Sequence, residues 1–273
     1  MENPRVRKAV VAGQFYPASA QELKKQIAAF IDKEENKIDA LACILPHAGY
    51  IYSGAVAAQT IASVKIKDTV ILLGPNHTGY GAQFSIMIEG IWQTPLGEVG
   101  IDTQFAQQLL KRSRFLKEDY LAHEQEHSLE VELPFLQYFN PDFRIVPIVF
   151  MSDNPQALKE IGKEIALSIK VAGREKNTLI IASSDMTHYE PQKQAEAKDK
   201  EAIAAILELS EDRLIERVRA LDISMCGYAP VAVTLSLVKT LGARQAKLIA
   251  YQTSGDVTGD YESVVGYAGV VIS

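Results

Sequence analysis

Residues 69–81 read TVILLGPNHTGYG. An unbroken apolar run, Val70 to Leu73, stops at Gly74 and Pro75 and delivers a histidine, His77, immediately afterwards. An apolar run without alternation suits a strand buried on both faces. The same pattern recurs at 41–45 (LACIL), 143–150 (FRIVPIVF), 178–183 (TLIIAS), 247–252 (KLIAYQ) and 265–272 (VGYAGVVI). Between these runs lie stretches with helical spacing: Gln21 to Lys33, Ala55 to Val64, Gln104 to Arg112, Ala157 to Val171, Gln194 to Leu209, Glu211 to Ala220 and Val231 to Leu241. Strands alternating with helices predict an α/β fold whose sheet is covered on both faces. Residues 84–101 (FSIMIEGIWQTPLGEVGI) read as a β excursion or hairpin with Pro95 and Gly97 at its turn, which makes a mixed sheet. The acid- and amide-rich segment 118–132 reads as a loop projecting ahead of Pro134.

The whole chain supports one domain over 1–273. Its 47% apolar and 23% charged residues are ordinary for a globular protein and enough to build a sizeable core. A net charge of −6 gives no electrostatic reason to expect a nucleic-acid partner. No stretch approaches the roughly 18 apolar residues of a membrane span. The N-terminal segment lacks the long apolar region of a secretory signal, so the expected location is cytoplasmic. The two cysteines, Cys43 and Cys226, are far apart and expected to be free in a reducing compartment.

Five histidines can be read one by one. His47 follows LACIL, His77 follows TVILLG, and His188 follows TLIIAS with Asp185 three residues ahead of it. The carboxyl ends of strands are where open α/β sheets bind ligands. A lone histidine there could merely cap a strand, but three at one edge point to a shared site. Cys226, in SMCGYAPVAV, precedes a predicted helix, whose backbone N–H groups would favour its thiolate. A thiolate with imidazoles suits iron, copper or zinc. Asp185 can orient a histidine ring, act with it in acid–base chemistry, or simply shape a turn. Cys43, within a strand run, reads as core. Trp92, Tyr50 and Tyr52 can line a pocket or pack in the core. His123 to His127 spells H-E-x-x-H, the zinc-peptidase pattern, but such a site needs a helix through both histidines.

Taken in order, VRKAVVAGQFYPAS, LPHAGYIYSG, LLGPNHTGYG, QTPLGEVGID, EHSLEVELPF, IASSDMTHY, SMCGYAP and YESVVGYAG closely resemble the Memo family nearly end to end. That family is similar in fold to the class III (LigB-type) extradiol dioxygenases, which cleave catechol rings with non-haem Fe(II). The resemblance implies a three-layer α/β/α sandwich with a mostly parallel or mixed central sheet. It implies His47, His77 and Cys226 as metal ligands, with Fe(II) or copper as the metal and zinc as an alternative. Cys226 stands where the dioxygenases use a carboxylate, which weakens any expectation of ring cleavage. His127, Asp185 and His188 would line the rest of the pocket as acid–base or substrate-binding groups, with Asp185 orienting one of the two rings. Glu126 belongs to the shared motif as a supporting partner, and His123 does not. Two functions follow: a metal-dependent redox protein acting on a small molecule, or a module that binds peptides, phosphopeptides included, through a vestigial enzyme pocket.

Overall fold

The computed structural model describes residues 5–31 and 37–273. The chain runs β1 (Val6–Arg7), α1 (Ala20–Ala29), β2 (Ala42–Leu45), α2 (Tyr50–Ala62), β3 (Thr69–Pro75), β4 (Phe84–Ile86), β5 (Ile91–Thr94) and β6 (Gly97–Gly100). Next come α3 (Thr103–Arg112), β7 (Lys117–Glu118), α4 (Leu121–Glu124), a 3-10 turn (Glu130–Glu132), α5 (Leu133–Phe139), β8 (Arg144–Phe150) and α6 (Pro155–Val171). The rest is β9 (Thr178–Ser183), β10 (His188–Glu190), α7 (Gln192–Leu207), α8 (Glu211–Ala220), α9 (Tyr228–Leu241), β11 (Ala246–Thr253), α10 (Gly255–Thr258) and β12 (Val264–Ile272).

Four parallel strands form the centre of the sheet in the order β2, β9, β3, β8. One row of the register runs Ala42, Ile180, Ile71, Val146, and all four side chains are fully buried. The continuous apolar runs are thus explained by helices on both faces. Helices α1, α2 and α5 cover one side, while α3, α6, α7, α8 and α9 cover the other. This is a three-layer α/β/α sandwich. Antiparallel β12 and β4 extend the sheet beyond β2 and β8, so it is mixed, as the 84–101 excursion predicts. Strand β11 pairs with β12 alone and is half-buried for most of its length, unlike the central strands. The turn at Pro95 closes the β5–β6 hairpin, which joins β1 in a small separate sheet.

Helix α1 ends at Ala29, short of the expected Lys33; residues 32–36 lie outside those described. Helix α2 starts five residues before the expected Ala55. Its first turn, YIYSG, has no helical apolar spacing. It is held by tertiary contacts: Tyr50 stacks on Phe135 with ring centroids 4.2 Å apart, and its hydroxyl donates to the Val131 carbonyl at 2.6 Å. Among the described residues no helix is long and apolar enough to cross a membrane.

Segment 118–132 does not project as expected. It packs inward, with Ala122, His123, Glu126 and residues 128–132 buried. The reason is Arg7, itself 1% exposed. Its guanidinium donates to Glu130 Oε2 at 2.6 Å, to the Glu126 carbonyl at 2.6 Å and to the His123 carbonyl at 2.7 Å. Glu130 also accepts from the Val10 and Val11 N–H groups and the Tyr16 hydroxyl. A buried charge is tolerable only when paired and hydrogen-bonded like this. The partner that draws these acids inward lies in the first strand, out of reach of any local pattern.

Candidate functional site

From β2 the chain crosses by α2 to β3 and continues to β8. It then returns by α6 to insert β9 between β2 and β3. Crossovers of one hand running in opposite directions place α2 and α6 on opposite faces. The crevice left at the carboxyl edge is the ligand position of open α/β sheets. The three strand-end segments carrying His47, Asp185 and His77 therefore emerge side by side.

Close packing brings the remaining parts to this edge. A Cβ on Gly227 would fall 2.3 Å from the Ser183 carbonyl oxygen. Only a glycine lets the start of α9 press on the end of β9, and that contact seats Cys226 at the site. Gly74 plays the same part at the end of β3, where a Cβ would fall 2.6 Å from Leu129. It admits the 126–132 segment and with it Glu126 and His127.

The ligand atoms of His47, His77 and Cys226 all lie within 4.8 Å of one another. Cys226 Sγ is 3.2 Å from His47 Nε2. Each ring is anchored through its other nitrogen. His47 Nδ1 is 2.8 Å from Ser183 Oγ, and His77 Nδ1 is 2.9 Å from Glu126 Oε1. The rings of His47, His77 and His127 cluster with centroids 4.7 to 5.6 Å apart. His77, Glu126 and His127 form a second group of the same compactness. His47, His77 and His127, with His188 and Asp185, wall a cavity of about 650 Å³ whose other sides include Phe15, Tyr52, Tyr189 and Tyr267, and Cys226 sits behind His47. Tyr52 faces this cavity, whereas Tyr50 and Trp92 are core residues.

Burial, reinforced by the neighbouring His77, His127 and His188, pushes His47 well below the ordinary histidine range. Neutral imidazole is the form that binds metals. Burial also lowers His127, with Glu126 opposing the shift. For Glu126, burial alone would raise the carboxyl, but the hydrogen bond and charge of His77 and the Ser128 N–H bring it down to about 2. Cys226 differs from the expectation. Burial, followed by the Asp185 charge, pushes its thiol well above the ordinary range. The backbone and Ser184 hydrogen bonds lower it but do not overcome desolvation.

Asp185 also behaves differently from expectation. It hydrogen-bonds neither His127 nor His188. Its Oδ1 accepts from the backbone N–H of His47 at 2.8 Å, which fixes the His47 loop. Burial raises its carboxyl to about 6, against the lowering effect of that hydrogen bond and of His188. His188 is oriented instead by Ser224, whose carbonyl is 2.9 Å from Nδ1. His123 lies outside the cluster, buried against Trp92 with Nδ1 on the Asp119 carbonyl. Helix α4 ends at Glu124, so no helix carries both His123 and His127, and the zinc-peptidase geometry is absent. Cys43 is a buried, free core thiol. The sequence reading missed Ser183 and Glu132 beneath His47; a polar residue ending a strand is the one local hint of the former.

The fold and the site define an α/β/α protein with a histidine-lined cavity, backed by a cysteine, at the carboxyl edge of its sheet. The Memo-like protein family matches this chain over residues 7–271, and the chain belongs to that family. A MEMO1 family protein of Methanopyrus kandleri is 44% identical, covering 97% of this chain and 98% of its own length. One of Methanocaldococcus jannaschii is 42% identical, over 98% and 99%. An uncharacterized protein of Escherichia coli K12 has a crystal structure that superposes with a TM-score of 0.55 at 13% identity. It covers 83% of this chain and 98% of that one, a likeness of fold alone.

Proposed function

We propose that this protein is a metal-binding redox protein in which His47, His77 and Cys226 hold iron or copper, with zinc also suited to the donor set. The observation that carries the reading is the convergence of those three ligand atoms within 4.8 Å of one another, at the cavity that His47 and His77 line. Two imidazoles and a thiol make a borderline-soft set. Both rings are tied down through Nδ1, the arrangement that orients metal-ligating histidines. A bound cation would shift Cys226 to its thiolate and supply a redox-active centre facing the cavity.

The chain's own residues would handle substrate and protons. The Ser224 carbonyl can only accept, so His188 carries its hydrogen on Nδ1 and keeps Nε2 as the basic nitrogen. His127 stands with its Nδ1 3.5 Å from Glu126 and its ring 4.9 Å from that of Phe15. These two histidines are the proposed acid–base or substrate-binding groups. Asp185 is assigned to holding the His47 loop. The cavity suits a small organic molecule better than a phosphopeptide, because among the described residues its lining includes Asp185 and Asp260 and no Lys or Arg.

Metal analysis of protein purified under anaerobic, reducing conditions tests the reading. Wild type should carry stoichiometric iron or copper. His47→Ala and Cys226→Ala should lose it while keeping the wild-type circular dichroism spectrum. Full occupancy in both variants would refute the ligand set.

A further inference from the structure

Ser183 Oγ has three close partners. The Ser128 carbonyl oxygen lies 2.7 Å away, Glu132 Oε1 2.8 Å and His47 Nδ1 2.8 Å. A hydroxyl offers one hydrogen and two lone pairs. The carbonyl can only accept, so it takes the hydroxyl hydrogen. The other two partners must then donate. Glu132 can donate only as the protonated acid, and His47 only as the tautomer with its hydrogen on Nδ1. If Ser183 instead donates to Glu132 or to His47, the Ser128 carbonyl is left 2.7 Å from a lone pair with no hydrogen between them.

The surroundings of Glu132 agree independently. Its side chain is fully buried, and among the described residues no Lys, Arg or His pairs with it. Its Oε2 has no hydrogen-bond partner. As a carboxylate it would be an uncompensated buried charge, whereas the carbonyl oxygen of a neutral acid tolerates isolation better. Burial pushes its carboxyl well above the ordinary range.

We propose that Glu132 is a positioning residue: as a neutral acid it donates to Ser183, so that Ser183 accepts the Nδ1–H of His47 and leaves the lone pair of His47 Nε2 directed at Cys226. The consequence for metal binding rests on the metal reading above, but the hydrogen-bond assignment does not. Glutamine reproduces a neutral acid here, with its amide N–H on Ser183 and its oxygen in place of Oε2. Methionine fills the space without donating.

Infrared spectra of chelator-treated protein labelled with 13C-glutamate, recorded at neutral pH, should show a protonated-carboxyl C=O band that Glu132→Gln removes. Nitrogen-15 spectra should show His47 as the Nδ1–H tautomer in wild type and Glu132→Gln alike. In cobalt(II) titrations Glu132→Gln should keep the wild-type affinity, while Glu132→Met weakens it roughly 10- to 100-fold. The proposal is overturned if wild type lacks the acid band, or if Glu132→Gln weakens cobalt binding as much as Glu132→Met. If Glu132→Met does not fold, the wild-type and Glu132→Gln spectra still decide. A wild type with the acid band and no cobalt binding would refute the metal site and leave the hydrogen-bond chain standing.

Discussion

Glu126 grips His77 at two points: the backbone N–H of His77 donates to Oε2 at 2.5 Å, and its ring Nδ1 lies 2.9 Å from Oε1. One carboxylate thereby fixes both the loop after β3 and the ring that the loop carries. The exposed loop would otherwise leave His77 free to rotate, since its side chain is 34% exposed. Glu126 does not drift either, because Oε1 also accepts from the Ser128 N–H at 2.9 Å.

Glu126→Gln turns an amide N–H toward one of these donors and breaks the grip. Metal affinity should fall roughly 10- to 100-fold, the usual effect of losing such a supporting partner. Competition with a chromogenic chelator measures it, and the thermal midpoint should change little by comparison. Unchanged affinity would mean that Glu126 does not orient the ring.

Gly227→Ala tests the contact that seats Cys226. The backbone angle at this position, φ −101°, suits any residue, so the effect is steric alone. The added methyl would sit 2.3 Å from the Ser183 carbonyl and 2.5 Å from Ser184 Cβ. Overpacking of this kind costs about 1–3 kcal/mol. Urea denaturation should report that loss together with weaker metal binding. Wild-type values of both would show that the segment shifts freely.

The strand ends that carry His47, His77 and His188 were legible because buried parallel strands announce themselves as apolar runs, and the residue after each run is placed by the strand. The position of Cys226 just ahead of α9 was legible from the helical stretch that follows it. Glu132, Ser183 and Arg7 were not. Glu132 lies in a segment whose composition reads as solvent-facing, and Ser183 is one polar residue among several strand-end turn formers. The burial of both depends on neighbours far away in sequence. The start of α2 was misread for a similar reason: Tyr50 is held by Phe135 and Val131, a packing that helical periodicity does not encode.

Arg7→Met should be among the most damaging single changes. It leaves Glu130, whose side chain is fully buried, without its cation. Breaking a buried pair from one side costs about 3–5 kcal/mol. Adding Glu130→Gln to Arg7→Met removes the stranded charge, yet keeps an acceptor for the Val10 and Val11 N–H groups. The double variant should therefore be more stable than Arg7→Met alone in urea melts. If it is less stable, the charge is not what makes Arg7 necessary.

At the opposite edge of the sheet, Asp102 caps α3 through the Phe105 N–H and is paired with Arg174 at 2.5 Å. Burial by itself would raise its carboxyl, but the Arg174 hydrogen bond, the Phe105 N–H and the Thr69 hydroxyl outweigh burial and hold it below the usual range. A carboxyl lowered in the folded state contributes stability above its unfolded value of about 4 and loses it as the pH falls through the folded value. Asp102→Asn removes that contribution. The variant should be less stable than wild type near neutral pH, and the gap should close as the pH drops below about 4. Urea midpoints for both proteins across that range measure it. A gap that stays constant down to strong acid would show that the Asp102 charge contributes nothing.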